Sequence, residues 1–226
     1  LDAFLKGIRA IEGDYDFLFA DNSATDEYAK HLKEQSGFIV HRIPRKETAL
    51  QSVIASRNHI LNYAMENGYD YVLNMDQDVI VPRNILTRLL SAEKDIISGL
   101  YYGVFRRKGG MKKLPTAYIA ISDEEFEEIK QQGLPPGVTS PMDIRRHMTM
   151  EEARSNNVLE VIIPSNGCML ISKEVLKRGI RYGTVPGIDE SRQGDEIRFC
   201  LEAKKQGFRL FVDTSVKCKH AIFVRD

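Results

Sequence analysis

The sequence predicts an α/β protein in which a mostly parallel sheet is wound with helices. Short apolar runs alternate with amphipathic helical segments through residue 101, the order typical of parallel strands joined by helices. The 226 residues, 42% of them apolar and 28% charged, suffice for one core of ordinary size. Because no segment resembles an internal repeat or an independent core, we expect residues 1–226 to form a single domain.

Residues 1–101 carry the clearest alternation. The helices are indicated by apolar residues at spacings of three and four, by Pro82 at a helix start and by Gly68 at a helix end. The strands are indicated by short runs rich in aromatic and β-branched residues that lead into turn residues. In chain order we expect a helix over 3–12, a strand over 15–20, a helix over 25–33, a strand over 38–43, a helix over 48–67, a strand over 71–81, a helix over 82–92 and a strand over 95–101.

Residues 103–157 depart from this rhythm and are expected to form an excursion of loops and short helices. Gly and Pro are frequent there, and two capping boxes, Ser122 with Glu125 and Thr149 with Glu152, indicate the two helices. Regular structure is expected to resume with strands over 158–163 and 168–171, helices over 172–178 and 195–206, and a strand over 208–212.

Charge, hydropathy and cysteine content exclude several classes of function. The formal net charge is zero, so nucleic acid is not an expected partner. No apolar run approaches the roughly 20 residues that a membrane-spanning helix needs. The three cysteines, Cys168, Cys200 and Cys218, share no metal-ligand spacing and fit core positions in a reducing compartment, which predicts a cytoplasmic protein.

An apolar stretch that contains two carboxylates is the main candidate for a functional site. The run from Tyr71 to Val81 holds Asp76 and Asp78 and is expected to form one buried strand. Residues i and i+2 of an extended chain point to the same side, so the two carboxylates would converge near a sheet edge where ligands bind. Converging carboxylates repel unless a cation separates them, and Mg²⁺ or Mn²⁺ takes such oxygens together with substrate phosphates. The alternative is a solvated turn that holds two aspartates.

Charged residues on two helices are further candidates. Arg57 falls inside the apolar stripe of the helix over 48–67, so it either pairs with an anionic group or extends its guanidinium to the edge of that stripe. Asp195 and Glu196 lie in the first turn of the helix over 195–206, where the helix dipole alone favours carboxylates.

Six segments, in order along the chain, resemble motifs of the family-2-like glycosyltransferases of the GT-A fold. The segments are Phe19 to Asp26 (usually D-D-G-S-x-D), Ser56-Arg57-Asn58 (A-R-N), Met75 to Asp78 (D-x-D), Ser165 to Leu170 (G-C-M-L), Gly194 to Cys200 (E-D-x-x-F-C) and Asp213 to His220 (V-D-x-x-x-x-C-x-H). The resemblance implies a Rossmann-like, metal-dependent glycosyltransferase. Residues 1–101 would be its nucleotide-binding half and residues 102–226 its acceptor-side half.

The resemblance also assigns roles to individual residues. The donor, a UDP- or GDP-sugar, would be bound by Asp21, Arg57, Asp76 and Gln77, and Gly167 would lie on the side of an unidentified acceptor. The metal, Mn²⁺ or Mg²⁺, would be held by Asp78 and His220 with Asp76, and imidazole plus carboxylate suits Mn²⁺ somewhat better. Transfer would invert the anomeric configuration, with a carboxylate as general base.

The chain departs from the family pattern at two places. Asp195-Glu196 reverses the usual order of the acids; Glu196 matches the base because Phe199-Cys200 follow three and four residues later, and Asp195 is the alternative. The I-P-x-x-N run that usually precedes the first helix is absent, so the first strand of the family sheet is expected to be missing.

Two other functions compete with sugar transfer. A haloacid-dehalogenase-type phosphohydrolase also places a D-x-D after an apolar strand, but here Ile80 stands where that family has Thr or Val, and no G-D-x-x-x-D follows. A non-catalytic module that binds nucleotide sugars would retain the scaffold without turnover.

Overall fold

The computed structural model describes residues 2–36, 38–107, 109–134 and 137–221, which divide into two compact units. The first unit consists of Leu1–Glu12, Leu73–Leu170 and Arg209–Asp226, and the second of Gly13–Val72 and Ile171–Phe208. Each unit takes segments both from residues 1–101 and from residues 102–226.

The described residues contain seven α-helices and thirteen strands. The helices are α1 Asp2–Arg9, α2 Glu27–Ser36, α3 Ala49–Glu66, α4 Ile85–Ser91, α5 Asp123–Gln132, α6 Lys173–Lys177 and α7 Glu196–Lys205. The strands are β1 Leu18–Asp21, β2 Ile39–Arg42, β3 Tyr71–Met75, β4 Val79–Ile80, β5 Ile96–Leu100, β6 Tyr102–Arg107, β7 Gly110–Pro115, β8 Tyr118–Ala120, β9 Arg145–His147, β10 Val158–Val161, β11 Cys168–Ser172, β12 Leu210–Lys217 and β13 Lys219–His220. No helix in this described part of the chain is long and apolar enough to cross a membrane.

The first unit is built on a five-stranded sheet with the order β10-β12-β5-β11-β3. β12 runs parallel to β5 and antiparallel to β10, so the α/β fold contains a mixed sheet rather than a wholly parallel one. The excursion returns the chain to the sheet edge in the opposite direction, and an antiparallel edge strand needs no crossover helix. Every residue of β5 and β11 is buried, which places the core of this unit at the sheet centre.

The excursion of the first unit contains strands that the sequence analysis does not predict. β6 pairs with β7 and β8 with β9, both antiparallel. The capping box of Ser122 and Glu125 is present at the start of α5, whereas Thr149 and Glu152 exchange the same hydrogen bonds ahead of a 3-10 turn. The strands escape prediction because they are short and because β6, β7 and β9 contain charged residues.

The second unit packs the parallel pair β1–β2 against α2 and α3. Thr48 caps α3 by accepting a hydrogen bond from the Gln51 N–H at 3.1 Å, and Gly68, with φ of 77°, follows the helix end. Tyr182 stacks on the buried Phe199 of α7 with ring centroids 4.8 Å apart. The three cysteines of the chain are buried free thiols, as expected for core positions.

Candidate functional site

The two aspartates of the D-x-D segment lie in a turn of the first unit rather than on a continuous strand. β3 ends at Met75, and the Asp76 N–H donates to the Gly167 carbonyl at 3.0 Å. The Val79 N–H then donates to the Asp76 carbonyl at 3.0 Å, which closes a turn across Gln77 and Asp78. The predicted strand over 71–81 is therefore corrected to two short strands, and Asp76 and Asp78 do not share one face of an extended chain.

Asp78 is joined to His220, which lies 142 residues away in the sequence. β4 pairs antiparallel with β13, with His220 opposite Val79, and the Ala221 N–H donates to the Asp78 carbonyl at 2.7 Å. This ladder brings the His220 Nε2 within 3.1 Å of the Asp78 Oδ2. The imidazole is largely shielded, with 14% of its side chain exposed, while the Asp78 carboxylate is about half exposed at 47%.

The Asp78–His220 pair fits a divalent cation in its chemistry and spacing. Two ligands on adjacent corners of an octahedron, each about 2.1–2.2 Å from a metal, lie about 3 Å apart, close to the observed distance. Among the described residues, no group of three or more His, Cys, Asp and Glu side chains is arranged to hold a metal. Two protein ligands are nevertheless a usual number for ions that also bind substrate phosphates.

Gly167 packs so closely against Asp76 that no side chain would fit at this position. A Cβ at this position would be 2.7 Å from the Asp76 Oδ2 and 2.8 Å from the Tyr101 hydroxyl oxygen. The Gly167 N–H donates to that hydroxyl at 3.2 Å, and the Tyr101 ring lies 5.4 Å from the His220 ring. Tyr101 therefore contacts both the Gly167 turn and the histidine of the pair, a role that the sequence analysis misses because Tyr101 simply follows a buried strand.

In the second unit, Asp21 is buried at the end of β1 and is held by two neighbours. The Ser23 N–H donates to the Asp21 Oδ1 at 3.0 Å, the Ser23 hydroxyl donates to the same oxygen, and Arg42 donates to the Asp21 Oδ2. Burial raises the pKa of Asp21, but the hydrogen bonds from Ser23 and Arg42 outweigh burial and lower it overall. Arg42 is a second residue that the sequence analysis misses; its register opposite Asp21 in the parallel pair is the feature that identifies it.

Arg57, also in the second unit, forms a shielded ion pair with Asp195. The Arg57 Nε lies 2.5 Å from the Asp195 Oδ2, with 7% and 16% of the two side chains exposed. The guanidinium carbon lies 5.4 Å from the centre of the Tyr182 ring, where a cation–π contact adds to the attraction. Of the two alternatives for Arg57, pairing with an anionic group is therefore the one realised.

Asp195 and Glu196 are used differently at the start of α7. Asp195 precedes the helix, and its side chain makes no capping hydrogen bond. Glu196 is the first helical residue, and its carboxylate fills the space that a Cβ on Gly194 would need, with Oε2 only 2.2 Å from that position. Gly194 thus makes room for the Glu196 carboxylate.

Comparison with known proteins gives a likeness of fold. No family model and no curated protein matches the chain. The crystal structure of GalNAc-T7 with UDP, GalNAc and Mn²⁺ is similar, with a TM-score of 0.54 and 12% identity over 91% of this chain and 37% of that chain. A197 from STIV has a TM-score of 0.45 and 14% identity, and the match covers 90% of this chain and 83% of that chain. Apo-UDP-glucose pyrophosphorylase has a TM-score of 0.36 and 10% identity, and the match covers 88% of this chain and 67% of that chain. The α/β fold of this chain is thus similar to part of GalNAc-T7, of which the chain spans little more than a third.

Proposed function

We propose that this protein is a GT-A-type glycosyltransferase that transfers a sugar from a UDP- or GDP-sugar to an acceptor hydroxyl with the help of Mn²⁺ or Mg²⁺. The observation that carries the proposal is the contact of Asp78 with His220 at 3.1 Å, formed by a ladder between distant parts of the chain. The GalNAc-T7 structure of similar fold contains UDP, GalNAc and Mn²⁺, which supports the same class of donor and ion here.

Each group of polar residues has a separate role in the proposed reaction. Asp78 and His220 would hold the ion, which when bound neutralises charge on the departing nucleoside diphosphate. In the same unit, the turn with Asp76 and Gln77 would bind the donor, and Gly167, whose missing side chain leaves room at Asp76, would lie on the acceptor side. Asp21 would accept a hydrogen bond from the nucleotide base, since its lowered pKa keeps it an ionised acceptor.

We assign the general base to Glu196 and a positioning role to Asp195. The carboxylate of Asp195 is engaged by Arg57, which would hold the start of α7 in place rather than contact the diphosphate directly. Glu196 would take the proton of the acceptor hydroxyl, with inversion at the anomeric carbon.

The metal pair is tested by nucleotide binding. UDP or GDP should raise the melting temperature in the presence of Mn²⁺ and much less in its absence, because the ion links the diphosphate to the protein. Asp78→Asn keeps the side-chain shape but removes the charge, so it should abolish the Mn²⁺-dependent part of the shift. Asp123→Asn, a change of the same kind at an exposed carboxylate of α5, is the matched control. A full Mn²⁺-dependent shift in Asp78→Asn would disprove this metal site.

The reaction is tested by turnover of labelled UDP- and GDP-sugars. A transferase should hydrolyse at least one donor slowly without acceptor, whereas a binding module would only saturate. Once an acceptor is found, Glu196→Gln should lower transfer roughly 10²–10⁴-fold with little change in nucleotide affinity. Asp195→Asn should lower stability more than rate. The opposite ranking would move the base to Asp195, and a product of retained configuration would refute the mechanism.

A further inference from the structure

One face of the β6–β7 hairpin in the first unit carries cations beside an aromatic ring. Phe105 lies opposite Lys112 in this ladder, and Arg107, two residues after Phe105, points to the same side. The Arg107 guanidinium carbon lies 5.7 Å from the centre of the Phe105 ring. Both cations are exposed, whereas Phe105 is half-buried. We call this side of the hairpin its inner face.

One face of the β8–β9 pair has a similar composition. Tyr118 lies opposite His147, and Arg145, two residues before His147, shares their side. The Arg145 guanidinium carbon lies 5.5 Å from the centre of the Tyr118 ring, and Arg145 is exposed. The ring centroid of His147 lies 4.2 Å from that of Tyr118 and 4.5 Å from that of Phe105. His147 therefore joins this face to the inner face of the β6–β7 hairpin.

The cations on these two faces are not neutralised by carboxylates. Neither face contains Asp or Glu. Within the part of the chain that the structure describes, Arg107, Lys112 and Arg145 form no ion pair with a carboxylate. The neighbouring Arg146, by contrast, lies on the other side of β9 and pairs with Glu152 at 2.8 Å. We call Arg107, Lys112 and Arg145 the cation cluster.

His147 lies close to two members of the cation cluster and has a nitrogen atom without a partner. The His147 Nδ1–H donates to the Pro115 carbonyl at 3.0 Å, which leaves Nε2 unprotonated in the neutral ring. This Nε2 is buried and has no hydrogen-bond partner among the described residues. Burial lowers the pKa of His147, the hydrogen bond to Pro115 opposes this effect, and the nearby charges of Arg107 and Arg145 lower the pKa further. The two guanidinium groups thus act on the same imidazole.

We propose that the cation cluster is a binding site for a small phosphate-bearing anion. Such an anion would neutralise charges that the protein leaves unpaired, and guanidinium groups match the geometry of phosphate oxygens. The cation–π contacts orient the two guanidinium groups without cancelling their charge, so less side-chain freedom would be lost on binding. The inference does not depend on the proposed sugar transfer.

The surroundings of the cation cluster favour a small anion over a nucleic acid or a membrane. Single-stranded nucleic acids stack their bases on open aromatic faces. Here Phe105 and Tyr118 each contact both His147 and a guanidinium group, so both rings are already in contact with protein groups. A membrane would need exposed apolar side chains beside the cations, whereas the two rings are half-buried.

The site is tested by isothermal titration calorimetry of the full chain in metal-free buffer, with inorganic pyrophosphate and with glucose 6-phosphate. At least one of them should bind saturably with a dissociation constant of about 1 mM or lower, as expected for a few charge-assisted hydrogen bonds. Binding of glucose 6-phosphate would assign the site to phosphate carried by an organic molecule. Binding of pyrophosphate alone would assign it to a free inorganic anion.

Substitution of the arginines tests whether the cation cluster is responsible for this binding. Arg107→Gln and Arg145→Gln should each weaken it about tenfold, because each removes a guanidinium group from the anion. Arg154→Gln and Arg178→Gln, at exposed arginines elsewhere, are charge-matched controls and should change it less than about twofold. Circular dichroism of every variant verifies that the fold is retained.

A bound anion should also raise the pKa of His147, because it offsets the charges of Arg107 and Arg145 that lower this pKa. NMR titration of the imidazole signals with and without the bound probe measures the change, and the signals of the exposed His31 serve as the internal control. No saturable binding of either probe, equal weakening in the control variants, or an unchanged pKa of His147 in the bound state would each overturn the proposal. Binding of hexauridylate RNA through the two arginines without binding of either small phosphate would overturn it as well.

Discussion

Replacement of Gly167 by alanine should destabilise the protein through a steric conflict with groups that have little room to move. The new Cβ would lie 2.7 Å from the Asp76 Oδ2, 2.8 Å from the Tyr101 hydroxyl oxygen and 3.0 Å from the Val79 Cγ2. Ordinary contact begins at 3.4 Å, so these atoms would have to retreat by about 0.4–0.7 Å. Tyr101 and Val79 are buried, which prevents them from rotating away.

The cost of such overpacking is about 1–3 kcal/mol. For a chain of this size, a loss of about 2 kcal/mol lowers the melting temperature by roughly 4–8 °C, which thermal unfolding followed by circular dichroism resolves easily. Gly183→Ala is the matched control: its Cβ would meet the side chain of Arg198 at 2.8 Å, but that side chain belongs to an exposed, flexible residue and can move. If both variants melt within about 1 °C of the wild type, the packing argument at Gly167 is wrong.

Two further predictions concern the second unit. Arg57→Met should lower the free energy of unfolding, measured by urea titration, by about 3 kcal/mol, because the shielded Asp195 carboxylate loses its guanidinium partner. Adding Asp195→Asn should recover part of that loss. A loss below about 1 kcal/mol in Arg57→Met would contradict the view that this ion pair is shielded and stabilising. Burial and the neighbouring His41 lower the pKa of His59 from 6.5, and Glu66 opposes them. Around pH 6 the folded state therefore holds His59 neutral while the unfolded state takes up a proton, so stability should fall as pH drops below about 6.5. His59→Gln should flatten the dependence of the melting temperature on pH between about 7 and 5, and an unchanged dependence would show that His59 does not cause it.

The extent to which the sequence predicts this structure depends on how local each determinant is. The long helix from Ala49 is predicted well because its cap at Thr48 and its stop at Gly68 lie within the segment itself. The D-x-D strand is predicted too long, because the reversal at Asp76 depends on a hydrogen bond to Gly167, far along the chain. The direction of β10 likewise depends on β12, which no local pattern reveals.

The candidate site follows the same rule. Asp78 and His220 emerge from a motif resemblance, and the structure brings the two side chains together, while metal binding and catalysis stay predictions. The partner of Arg57 could be predicted only as an anionic group, because apolar periodicity shows that the charge needs compensation without showing where it comes from. Tyr101 and Arg42 were not predicted, since their roles arise from neighbours in space.

The short ladder between β4 and β13 has a consequence for the order in which the molecule assembles. The contact that it secures closes a loop of 142 residues, and closure of so long a loop is entropically costly until much of the intervening chain is already folded. The Asp78–His220 pair is therefore expected to form late in refolding. If it binds an ion, that ion would arrive at a nearly finished protein and would mark its maturation rather than nucleate its folding.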